Sequence, residues 1–216
     1  GIALFAPALL LQPAPPEGVY YGQWTAVLGA MEPYQGRVLD ARVGELSVPS
    51  WRSPDGPAIR ERLRAGAAVG VWLEVGPIPE EPAPVFSIFD DRQREVFMLG
   101  ARGEDLFVRV WTLGSSLRFQ TPRMWWGDAL AGTTPGDSIR ITFAVGPRGP
   151  CLATRGRTRC LTAGSSIGSW SLLAPGGRGG PLYAVGSLIW AFLLGIPLGL
   201  LRMQIRRGIL LALALV

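Results

Sequence analysis

Apolar and polar residues alternate along much of this chain with the short period of β-strands, and the stretch Pro84 to Trp111 shows it best. Val85 to Phe89 is an apolar run closed by the turn formers Asp90 and Asp91. Glu95 to Leu99 follows, closed by Gly100, Gly103 and the acidic pair Glu104–Asp105. Leu106 to Trp111 is a third run, rich in β-branched and aromatic residues. Strands of this length separated by Asp/Gly turns predict an antiparallel meander inside an all-β sandwich or barrel.

The pattern continues on both sides. Val19 to Tyr21 and Trp24 to Leu28 read as first strands, Arg37 to Ala41 and Val43 to Val48 as the next pair, and Ala68 to Val75 as a strong strand. Between them, Ala58 to Arg64 carries Ile59 and Leu63 at helical spacing and predicts one or two helical turns. Leu117 to Phe119 is a short strand, and Gly164 to Ser171 holds at most one more. In Ile139 to Val145 the apolar Ile139, Ile141, Phe143 and Val145 alternate with Arg140, Thr142 and Ala144, so one face is buried and the other wet. Trp24, Trp72 and Trp111 fall within predicted strands and are assigned to the core.

Cys151 to Cys160 reads as a hairpin after the turn Gly146 to Pro150. Centring its own turn on Arg155-Gly156 opposes Thr154 to Arg157, Ala153 to Thr158, Leu152 to Arg159 and Cys151 to Cys160. Directly opposed residues of an antiparallel pair are close enough for a disulfide. Cysteines that meet by register point to an oxidising compartment, the alternative being two reduced thiols in a cytosolic hairpin.

The chain's ends have a different composition. Residues 1–11 are apolar and lead into a Pro-rich stretch through residue 17, which reads as the end of a membrane helix, or of a signal peptide, plus a stiff linker. Residues 18–174 are the β domain and 175–181 a Gly-rich linker. Residues 182–201 are free of charge and long enough to form a transmembrane helix. Residues 202–208 carry Arg202, Arg206 and Arg207 and are expected to form a cytoplasmic turn, and 209–216 to open a second membrane helix. The β domain is then extracytoplasmic, as the disulfide independently suggests, and the lipid bilayer is a partner.

Charge adds little beyond this. All 16 acids lie at or before Asp137, and three of the 21 arginines follow residue 181, so residues 1–181 carry 18 − 16 = +2 of the formal +5. More than half of the excess therefore sits in one short segment, which disfavours a nucleic-acid surface. The chain has no lysine, histidine or asparagine. Lack of histidine removes Ser-His-Asp and Cys-His dyads and His-based metal sites, and lack of asparagine removes N-glycosylation acceptors.

The candidate chemistry is sparse. Gly164 to Gly168 matches G-x-S-x-G but lacks the histidine and the strand–turn–helix context of a nucleophile elbow, so it reads as loop. Asp90, Asp91 and the pair Glu104–Asp105 could hold Ca²⁺, but ordinary turn formation is the favoured reading. Trp125 and Trp126, with Asp128 after Gly127, form the best ligand candidate, because exposed indoles stack on sugar rings. Adjacent strand residues point to opposite faces, so one of the two indoles is expected in the core and the other more exposed.

The strand order, the stretch FSIFDDRQREVFMLG and the hairpin CLATRGRTRC resemble the concanavalin A-like (laminin G-like) jelly roll over roughly Val19 to Leu173. With the flanking membrane segments, the chain resembles bacterial VanZ-like membrane proteins that carry such a domain between helices. The resemblance implies an antiparallel jelly-roll sandwich followed by a transmembrane helix, and a role at the cell envelope, in glycopeptide resistance or polysaccharide handling. The Ca²⁺ ligands of the family's lectins cannot be matched without asparagine, so no cofactor follows from it. The E-x-D-x-x-E arrangement of its laminarinase-type hydrolases is missing as well. The expectation is a membrane-anchored, non-catalytic module binding glycan or another envelope component in the bacterial cytoplasmic membrane, with a structural spacer as the alternative.

Overall fold

A computed structural model describes residues 12–25, 28–29, 31–51, 55–117, 121–146 and 149–161. The expected membrane segments (1–11, 182–201 and 209–216), the Gly-rich linker, the arginine turn at 202–208, the short strand over 164–171 and the G-x-S-x-G match lie outside them. Among the described residues no helix is long and apolar enough to cross a membrane.

The described residues form strands β1 (Tyr20–Trp24), β2 (Arg37–Val43), β3 (Leu46–Ser47), β4 (Val69–Glu74), β5 (Ala83–Asp90), β6 (Glu95–Arg102), β7 (Asp105–Val110), β8 (Arg123–Trp126), β9 (Ser138–Gly146), β10 (Gly149–Thr154) and β11 (Arg157–Cys160), and helices α1 (Gly56–Arg64) and α2 (Leu113–Ser116). They build two antiparallel sheets, ordered β1-β5-β6-β7-β8 and β11-β10-β9-β4-β2-β3. The fold is an all-β sandwich, and the meander β5-β6-β7 forms the middle of its first sheet. The chain crosses between sheets after β1, β4 and β8.

Period-2 alternation places the core between the sheets. From the six-stranded sheet come Val71, Leu73, Ile141 and Leu152, and from the five-stranded sheet Phe86, Ile88, Leu99 and Val108, all buried in one cluster. Phe143 of β9 is the aromatic link, with its ring 5.7 Å from Phe97 and 6.0 Å from Trp126, both on the opposite sheet. The five-stranded sheet is also apolar on its outward side. Met98 and Phe107 are fully buried there, Tyr21 stacks on Phe89, and the Phe107 ring lies so close over Gly100 that no side chain fits at that position.

Local chemistry explains where the elements differ from expectation. The two first strands are one, β1, and Leu28 lies in no strand. Instead of a strand beginning at Leu117, the helical turn α2 precedes it. A capping box nucleates α2, with the Thr112 hydroxyl accepting from the Ser115 N–H and the Ser115 hydroxyl from the Thr112 N–H. Phe119 lies outside the described residues. Helix α1 starts at Gly56 rather than Ala58, with Pro57 in its first turn and Ile59 buried against the sandwich.

Candidate functional site

The three residues expected to contact a ligand are divided by β8 and the turn after it. Trp126 is 3% exposed, its ring sits edge-on to Phe143, and its indole N–H donates to the Arg159 carbonyl at 3.0 Å. Only its rim borders a groove, so it offers no face for stacking. Trp125 points to the other side of the sheet, is half-buried, and packs on Phe107 at 4.9 Å with the Arg123 guanidinium over both rings. Asp128 is exposed in a left-handed turn conformation (φ 56°), its N–H bonded to Asp105 Oδ1 at 2.9 Å. One indole in the core and one more exposed is the expected division, but the two tryptophans do not share a surface.

Asp90 and Asp91 do not converge on a cation. The Asp90 side chain is completely buried, and both of its oxygens are engaged. Oδ1 accepts from the N–H groups of Arg92 (3.0 Å) and Arg94 (2.7 Å), and Oδ2 from the Arg94 guanidinium (2.6 Å). This is an Asx-type turn that closes the β5–β6 hairpin. Asp91 is exposed beside it, and among the described residues no group of three potential metal ligands is found.

The outward face of the six-stranded sheet carries the more useful arrangement. Strand β4 alternates Val69, Val71 and Leu73 inward with Gly70, Trp72 and Glu74 outward. Trp72, expected in the core, is therefore 49% exposed in mid-sheet. Register places Asp40 of β2 on one side of it and Arg140 of β9 on the other. Nothing stands over the Cβ position of the neighbouring Gly70, which leaves open space along the strand beside the indole. Among the described residues no ring or guanidinium stacks on Trp72, in contrast to Trp111 and Trp125.

Ion pairs order the polar side chains around the indole. Asp40 and Arg42 pair at 2.7 Å, and the hydrogen bond to Asp40 pushes the Arg42 guanidinium further above its ordinary pKa. Glu74 pairs with Arg37 at 2.7 Å. Trp72, Gly70, Asp40, Arg42, Arg140 and Thr142 line a depression of about 230 Å³. A second depression shares Arg140 and Thr142 with it and reaches the β10–β11 turn at Thr154 and Arg155.

The hairpin β10–β11 forms the far end. Its register is the expected one residue for residue, Cys151 opposes Cys160 with Cα atoms 4.0 Å apart, and the two are disulfide-bonded. Arg155 and Gly156 both have positive φ (51° and 74°), the geometry of a two-residue hairpin turn that matches the sheet twist. Arg155 donates to the Ala131 carbonyl and Arg159 to the Gly127 carbonyl, each at 2.6 Å, holding the hairpin to the β8–β9 connection. Between them lies a groove of about 210 Å³ bordered by Trp126, Asp128, Thr154, Arg155, Arg157 and Arg159.

Compared with known protein families, curated proteins and solved structures, the chain matches none.

Proposed function

We propose that this chain is a non-catalytic glycan-binding module, with Trp72 as its stacking platform on the outward face of the six-stranded sheet. In this reading the sandwich is a jelly roll of the concanavalin A-like kind, carried outside the bacterial cytoplasmic membrane by a VanZ-like membrane protein. Three changes of sheet and the β10–β11 disulfide support the jelly roll and the extracytoplasmic side.

The single observation that carries the function is Trp72. A half-exposed indole in mid-sheet, next to an open glycine, costs hydration and serves no packing purpose, whereas a sugar ring would cover it. The neighbouring Asp40, Arg42 and Thr142 supply the few polar groups that orient a ligand on an apolar platform. Binding is favoured over hydrolysis because Asp40 and Glu74, the carboxylates flanking the indole, are each tied to an arginine.

The test is a glycan array on the full chain in detergent, beside its Trp72→Ala variant. Wild-type binding should weaken at least about tenfold in the variant, which loses a stacking surface. The melting temperature should hold, because the site is outside the core. Equal binding by both proteins, or no binding at millimolar sugar, would remove the glycan reading and leave a structural spacer.

A further inference from the structure

We propose that the ligand of the Trp72 face is an acidic glycan, a polymer with uronate carboxylates, lying across the sheet from Trp72 to the β10–β11 hairpin. This rests on the glycan reading above and adds the ligand's charge and path.

The path follows from shared walls. The depression beside Trp72 and the next one have Arg140 and Thr142 in common, and that second depression shares Thr154 and Arg155 with the hairpin groove. The first two make one track on the outward face, across β4 and β9 to β10 and the hairpin turn, whereas the hairpin groove, lined by Leu152, Arg157 and Arg159, opens on the inward side. Strands lie about 4.8 Å apart, so from β4 to β10 the track spans roughly 10 Å, enough for a disaccharide.

The charge follows from which cations are engaged. Arg42 is neutralised by Asp40, and Arg155 and Arg159 are bound to carbonyl groups. Arg140 is exposed, and among the described residues its guanidinium has no hydrogen bond or ion pair. Arg140 is the direct cross-strand neighbour of Trp72. A sugar stacked on that indole would bring its ring substituent within reach of an unpaired guanidinium, whose planar fork matches a carboxylate. Arg157, opposite Thr154, lies on the other face and takes no part. A neutral glycan would leave Arg140 unanswered.

The experiment uses the full chain in detergent with oligogalacturonate, alginate and hyaluronan oligomers, each beside its carboxyl-reduced form. At least one acidic oligomer should bind, and its reduced form should bind at least about tenfold more weakly. Arg140→Gln should weaken acidic binding roughly fivefold, make it less sensitive to salt, and leave the weak binding of reduced forms unchanged, while Arg157→Gln, on the opposite face, should change none of these. Equal affinity for acidic and reduced oligomers, lost in Trp72→Ala, would overturn the acidic ligand and leave the platform standing. Arginine-dependent binding that ignores Trp72→Ala, or no binding at all, would overturn both. Vesicles containing phosphatidylglycerol are the last arm. Arginine-dependent capture of vesicles without any glycan binding would assign the guanidinium groups to lipid and reject the proposal.

Discussion

Glu95 sits at the start of β6 under the Arg109 guanidinium, 3.2 Å away. Burial pushes its carboxyl above the ordinary range, and the charges of Arg109 and Arg123 only partly pull it back. Between its ordinary pKa and this raised value, the folded chain holds a proton that the unfolded chain has released. Stability from this group therefore falls as pH rises through that window, and the cost persists above it. Glu95→Gln removes the titration. Its melting temperature relative to wild type should climb as pH rises above the ordinary glutamate pKa of about 4.3, and a difference that shrinks with rising pH would contradict the assignment. The same scale shows why the site was only partly legible. A tryptophan inside an apolar stretch suggests core, and residue type alone places Trp72 there. Parity decides otherwise, because Val69, Val71 and Leu73 fix the inward positions and put Trp72 outward with Gly70 and Glu74. For Trp125 and Trp126 parity separated the faces, but nothing in four residues of β8 says which face meets the second sheet.

At the scale of elements, the β10–β11 hairpin was readable because its signals are local. The turn at Arg155-Gly156 sets the register, and the register brings the cysteines together. Closing so short a loop limits the unfolded chain modestly. Replacing both cysteines by serine should cost about 2–3 kcal/mol in denaturant unfolding. Amide protons of β11 should lose exchange protection before those of β9, which pairs on both sides. A double variant with full stability and an unchanged β11 would show that the staple is redundant. Helix α2 is not legible in the sequence because its capping box uses serine at the position where a glutamate or glutamine is the usual signal. The break after Trp24 likewise reflects tertiary pairing, since β1 is only as long as its contact with β5.

At the scale of the molecule, the two sheets meet on Phe143, held between Phe97 and Trp126. Phe143→Ala should lower stability by ~3–5 kcal/mol, with the sandwich still unfolding in one transition. Two separated transitions would mean that the sheets fold independently. Which strands pair across the sandwich was not legible, because β4 lies between β2 and β9, a neighbour distant in sequence. Hydrophobic periodicity defines strands and faces, whereas strand order depends on contacts that close long loops. The order has a further effect at the two margins of the six-stranded sheet. Among the described residues one margin is β3, only two residues long, and the other is β11, with arginines at both 157 and 159. An open strand margin invites a second chain to add to the sheet, and brevity on one side and repelling like charges on the other discourage it. The guanidinium groups of this margin therefore work against self-association, keeping copies of this protein from joining sheet to sheet.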